Sequence, residues 1–306
     1  MVLSSNAQAI VGGQIAGIDE YQSVGSVIAI DAALNTARLG SFVALSSTWV
    51  LTAAHVVDSP GGALLIGGHQ DAPAGEPFFF IERIILHPNY MVGESHDDLA
   101  LIKLSDFDPI VPSAHNMSFA TLSNVALPTG IPTTATITGW GQDTVDGPVA
   151  DDFQFTRRHT TVDTDLDPFA RVMVAPFPTP FPSACAGGQI LCTYGTSGGA
   201  PGDSGGGIFL DYGGGEIVAG INSFLFDEND LDSNFPLDWT NGYWTVGTSV
   251  AAYQGWIEEP EAGVFTNAQF AAAPVPLPGA IWLLGAALFG VLVPRRNRMN
   301  DRAFAA

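Results

Sequence analysis

Glycine and proline interrupt this chain so often that few long helical patterns fit between them: 35 glycines and 21 prolines are spread over 306 residues. That punctuation favours a β-rich fold with many turns, and the length leaves room for one large domain or two ordinary ones. A hydrophobic content of 46% supplies a core, so the formal net charge of -21 does not signal disorder. An acidic surface repels phosphate backbones and anionic lipid, which excludes a nucleic-acid binder. Two cysteines are too few for a disulfide scaffold but enough for one bridge.

The charge is unevenly divided. Residues 1–274 hold 30 acids and 6 bases, whereas the rest holds one acid and four arginines, Arg295, Arg296, Arg298 and Arg302. Ahead of those arginines runs an uncharged apolar stretch of 19 residues, Val275 to Val293, just long enough to cross about 30 Å of hydrocarbon as one helix. The basic end stays cytoplasmic by the positive-inside tendency, placing residues before 275 outside. A buried helix of the main domain is the alternative, but abrupt basic flanking suits a membrane anchor better. At the other end, Ala7-Gln8-Ala9 has the form of a signal-peptidase site. Residues 1–9 then read as the end of a truncated signal peptide, with translation starting upstream of Met1 and the mature chain at Ile10.

The strongest local motif is Gly202-Asp203-Ser204-Gly205-Gly206. Clustered glycines let backbone N–H groups approach a reacting carbonyl, and a serine among them is a candidate nucleophile. The stretch also fits the G-x-S-x-G pattern of α/β-hydrolases, but those enzymes need a histidine after the serine. His55, His69, His87, His96, His115 and His159 all precede it, so a base must come from upstream. His55 follows Trp49 to Ala54, an apolar β-type run passing into small residues. Such a run suits a packed scaffold that holds a base rigidly, although a satisfied core histidine would look the same. Asp98 opens the apolar run Leu99 to Leu104; drawn inward there, its carboxylate can accept an imidazole N–H and set the tautomer. Asp97 would point to the other face by strand alternation.

Taken together, IVGG from Ile10, LTAAH ending at His55, HPNY from His87, DLAL from Asp98, TGWG from Thr138 and GDSGG from Gly202 resemble the chymotrypsin-like (trypsin-type) serine protease family. Order and spacing match, and Thr248 to Ile257 resembles the family's C-terminal helix. The resemblance implies an all-β fold of two six-stranded antiparallel β-barrels, about 10–125 and 126–250, with that helix completing one protease domain over 10–257. It implies Ser204 as nucleophile, His55 as general base and Asp98 as its orienting acid. The N–H groups of Gly202 and Ser204 would form the oxyanion hole, and a freed Ile10 ammonium would pair with Asp203 to order it. Protein or peptide substrates follow, with no cofactor and no metal.

Departures from the family carry information too. The disulfide beside the catalytic histidine is missing, its positions reading Gly40 and Val56, while Cys185 and Cys192 resemble a shortened disulfide loop of the second barrel. Gly198 stands at the substrate-pocket floor where trypsin-type enzymes have Asp. Ser223 and Phe224 match the strand that pairs with substrate, and Leu225 and Thr245 stand where glycine is usual. An uncharged floor and filled walls imply cleavage after small or medium apolar residues. The acidic loop Asp227 to Asp238 reads as a solvated insertion, and its spacing matches no recognised calcium loop. The rival is a catalytically silent protease-fold module that binds a surface or matrix, since fold alone does not secure function.

Val275-Pro276-Leu277-Pro278, the apolar run and Arg295-Arg296 resemble the PEP-CTERM sorting signal of Gram-negative bacteria, with Leu277 where Glu is usual. That resemblance implies an exosortase-like processing enzyme and a product in the cell envelope or extracellular matrix. The C-terminal organisation expected is a linker over 258–274, a sorting or transmembrane helix over 275–298 and a cytoplasmic tail over 299–306.

Overall fold

Short apolar runs such as Trp49–Thr52 and Ala100–Leu104 are buried along almost their whole length, as expected of core strands bounded by turns. The computed structural model describes residues 10, 13–17, 19–31, 36–58, 63–66, 78–92, 97–124, 135–141, 158–162, 172–173, 190–195, 199–211, 216–226 and 243–271. After the two-residue β1 (Gln14–Ile15) come β2 (Val24–Asp31), β3 (Thr36–Ala44), β4 (Trp49–Thr52), β5 (Ala63–Ile66), β6 (Phe78–Phe79), β7 (Ile81–Leu86) and β8 (Ala100–Leu104). Strands β2 to β8 make one antiparallel sheet in the order β6-β5-β2-β3-β4-β8-β7. Val27, Phe42, Val50, Ile102 and Leu104 fill its core, each large apolar side chain contributing about 1.5–3 kcal/mol on full burial.

The second sheet contains β9 (Thr121–Ser123), β10 (Ala135–Gly139), β11 (Arg158–Val162), β12 (Val172–Met173), β13 (Ile190–Gly195), β14 (Gly207–Asp211), β15 (Glu216–Phe226), β16 (Tyr243–Ser249) and β17 (Gln269–Ala271). Strand β1 crosses over to join it, Gln14 pairing with His159, so the N-terminal segment is carried to the second sheet. Among the described residues each sheet has six strands of four residues or more. This agrees with a trypsin-like double β-barrel; the additional strands have two or three residues each. Val43, Leu51 and Leu101 of the first sheet share one buried cluster with Leu122, Phe209 and Ile221 of the second. That common core packs the two sheets against each other.

A 3₁₀ turn at Val250–Tyr253 leads into the helix Gln254–Glu258, where the family resemblance placed a helix. Beyond it, the expected linker differs from the structure as far as residue 271. The Thr266 hydroxyl, fully buried, donates to the Ile257 carbonyl at 2.6 Å, and the Ser46 hydroxyl donates to the Thr266 carbonyl at 2.9 Å. Strand β17 then pairs in parallel with β9. A threonine with its polar groups satisfied inside the protein and a paired strand are not features of a free tether. The chain divides into two units, Met1–Ala273 and Pro274–Ala306. The sorting helix and cytoplasmic tail, and the signal-peptide residues 1–9, lie outside the described residues. Among the described residues no helix is long and apolar enough to cross a membrane.

Candidate active site

Where β4 ends, the chain turns into α1 (Ala54–Val57), a four-residue helix with no side-chain cap at its N-terminus. One turn cannot hold itself in water, so tertiary bonds must fix it. Asp98 supplies two: Oδ1 accepts the His55 amide at 2.9 Å and Oδ2 meets Nδ1 at 2.7 Å. An ionised carboxylate only accepts, so this contact places the ring proton on Nδ1. That leaves the lone pair on Nε2, which has no hydrogen-bond partner among the described residues, on a side chain 40% exposed. Burial pushes the Asp98 carboxyl up, but its bonds to His55 and to the Ser223 hydroxyl outweigh that and hold it below its ordinary value.

Asp98 lies at the centre of a three-residue turn in which the Leu99 amide donates to the Asp97 carbonyl at 2.9 Å. Asp97 takes a left-handed φ of 60°, and its carboxylate faces away from His55, 3.4 Å from Nδ1 of His87. The two carboxylates do meet different histidines, but a turn ahead of β8, not the strand alternation expected from the sequence, separates them. His87 sits edge-on between Tyr253 and Trp256, with ring centroids 5.0 and 4.9 Å away. Burial lowers its pKa, against the opposing pull of Asp97.

Ser204 comes from the turn before β14. Gly202 and Gly205 beside it have φ of 95° and 90°, a region where side chains are strained and glycine is not. The Ser204 carbonyl accepts the Ser41 amide at 2.7 Å, tying this turn to β3 next to Gly40. Its hydroxyl donates to the Ser223 carbonyl at 3.2 Å rather than to the His55 ring, so Ser223 touches both Asp98 and Ser204. Free enzymes often make the nucleophile–base bond only when substrate is bound. The amides of Asp203, Gly205 and Gly206 are occupied by the carbonyls of Ala200, Asn222 and Asp203 at 3.0, 2.7 and 2.9 Å. Those of Gly202 and Ser204 donate to no acceptor among the described residues.

The Asp203 carboxylate, 1% exposed, accepts the Gly141 amide at 2.8 Å and the Ala200 amide at 2.7 Å. A Cβ on Gly139 would overlap it, which explains the glycine there. Ile10 is fully buried against Ile137, on the same face of β10 as Gly139. Of the sequence-predicted partners, Ile10 thus packs on Ile137 and Asp203 lies against Gly139, two residues along β10.

Ser204 also borders a cleft of about 240 Å³, together with Gly199, Ser223, Phe224, Leu225 and Thr245. Leu225 and Thr245 are cross-strand partners on β15 and β16. A Cβ on Gly199 would lie 3.2 Å from Thr245 Cγ2 and 3.3 Å from Leu225 Cδ2, so both side chains occupy the wall. Gly198, Cys185 and the loop Asp227 to Asp238 lie outside the described residues. Cys192 is described only as backbone, opposite Met173 and Val246. Among the described residues no group of three or more His, Cys, Asp or Glu could hold a metal ion.

Sequence reasoning missed Arg38, Asp58 and Tyr90, which meet beside His55. Tyr90 closes the HPNY motif and Asp58 follows His55 by three residues, but nothing local marks either as its neighbour; only the scarcity of bases outside the tail singles out Arg38.

The sequence model of the Trypsin family matches residues 38–257. A chymotrypsin-like elastase family member 1 from Macaca fascicularis is 26% identical over 255 residues, covering 82% of this chain and 88% of the relative. A trypsin from Phaedon cochleariae is 28% identical over 227 residues, covering 72% and 77%. With the family match spanning well over half of its length and two mainly antiparallel sheets beneath it, the chain belongs to the trypsin family of serine proteases.

Proposed function

We propose that this protein is an active, exported serine endopeptidase. Ser204 attacks the peptide carbonyl, Nε2 of His55 takes the proton and returns it to the leaving amine, and Asp98 holds the ring and stabilises its charged form. The observation that carries this reading is Asp98 gripping both the backbone amide and Nδ1 of His55. The unoccupied amides of Gly202 and Ser204 suit the developing oxyanion, each such donor being worth about 3 kcal/mol in the transition state. A non-catalytic binding module has no use for a carboxylate aimed at a histidine beside an accessible serine.

The remaining parts follow from their placement. Release of residues 1–9 gives Ile10 an ammonium, and Asp203 offers it a buried carboxylate, a pairing that offsets the cost of burying either charge. Leu225 and Thr245 narrow the cleft, which favours small or medium apolar side chains before the scissile bond. The apolar run from Val275 and its arginines would sort the protease to the envelope of a Gram-negative cell, with an exosortase-like enzyme processing it.

Fluorophosphonate labelling combined with intact mass is the deciding experiment. The mature wild type should label at one serine and begin at Ile10, and Ser204→Ala should not label. An unlabelled wild type would return the protein to the binding-module reading; a labelled enzyme that retains residues 1–9 would overturn the activation step alone.

A further inference from the structure

We propose that Arg38, Asp58 and Tyr90 form a clamp that holds the His55 helix against β3, in place of a covalent bridge between Gly40 and Val56; this rests on the triad reading above. Helix α1 has four residues and no N-terminal cap. Asp98 secures His55 by its amide and its ring, and Arg38 secures the other side of the same residue, Nη1 donating to the His55 carbonyl at 2.9 Å. The same nitrogen donates to Asp58 Oδ1 at 2.8 Å, and the Tyr90 hydroxyl donates to Asp58 Oδ2 at 2.8 Å. Asp58 is the C-terminal cap residue of α1, so one carboxylate collects a strand, a helix end and the His87–Tyr90 turn.

The Arg38 side chain is 53% exposed, so the buried end of the clamp is its carboxylate. The Asp58 side chain is only 10% exposed, so both its oxygens need donors. Burial, with Asp58 beside it, pushes the Tyr90 pKa up, which keeps that hydroxyl a neutral donor. The clamp brackets the contact between Gly40 and Val56. Arg38 precedes Gly40 by two residues and Asp58 follows Val56 by two, and a Cβ on Gly40 would overlap Val56 Cγ1. The two segments therefore touch without a bond, and the polar bridge spans the same contact. An arginine suits the position because one planar guanidinium can hold a carbonyl and a carboxylate together, which a lysine ammonium on a mobile stem does less rigidly. Arg38 acts through His55 and is a positioning residue.

The test reads labelling of Ser204 by a fluorophosphonate, separating the maximal rate from the half-saturating concentration. Arg38→Met should lower the maximal rate about tenfold, a modest misplacement of a base, with half-saturation unchanged. A Gly40→Cys/Val56→Cys pair added to Arg38→Met should restore the rate when oxidised and not when reduced. A wild-type rate in Arg38→Met, or a formed bond that restores nothing, overturns the clamp. If the cysteines stay reduced, Arg38→Met and Asp58→Asn are combined: a shared clamp makes the double variant no slower than the worse single one, and additive losses overturn it. A wild type that does not label at all sinks the triad reading instead.

Discussion

Asp98 stays ionised inside the protein because donors from His55 and Ser223 outweigh its burial. Its folded pKa lies below the ordinary 3.8, so its contribution to stability is complete above that value and is lost as pH falls through the folded one. His87 has the same sign for a different reason: burial lowers it from 6.5. Below that value the unfolded chain takes up the proton while folded His87 does not, so stability falls with pH. His87→Phe, which keeps a ring between Tyr253 and Trp256, should therefore flatten the fall in melting temperature as pH drops below about 6.5, measured in a Ser204→Ala background to prevent self-digestion. Gly205 is constrained by shape instead. A Cβ there meets the Ser41 carbonyl and the Thr52 hydroxyl at a φ of 90°, so Gly205→Ala should cost at least about 3 kcal/mol in chemical denaturation. The residues legible in the sequence were those whose chemistry demands a residue type, as at Ser204 and His55. Arg38 was not, because any base on a strand satisfies local rules.

The paired strands β15 and β16 line the cleft and, on the proposed reading, set what it admits. Leu225 and Thr245 face each other across them and close on Gly199, so replacing the larger one enlarges the wall without touching Ser204. Leu225→Gly should raise kcat/KM for Phe before the scissile bond, relative to Ala, by about tenfold or more; a peptide panel with that preference unchanged would remove Leu225 from the specificity wall. Strands with motifs were legible as elements because each ends on a residue that needs a fixed place. Strand β17 was not: Gln269–Ala271 has no pattern of its own, and it is a strand only because β9 offers it a free edge.

For the molecule as a whole, the core shared by the sheets and the C-terminal strap, residues 259–271 ending in β17, act as one. Phe270 on β17 packs, partly buried, on the cluster that contains Leu122, Val218 and Ile257. Phe270→Ala should lower unfolding free energy by about 2 kcal/mol, less than for a fully buried ring; a change within 0.5 kcal/mol, the usual range for surface sites, would mean that the strap is decorative. The sequence by itself determined the fold class, the choice and order of the residues proposed to react and the division of charge at residue 274, because each is written in residue type and spacing. Only the tertiary structure decided that Ser223 links Asp98 to Ser204, that Arg38 reaches the His55 carbonyl and that residues 258–271 belong to the body of the protease. Those contacts join segments 17 to 220 positions apart, and hydrogen bonds at such separations depend on how the sheets pack rather than on any local pattern.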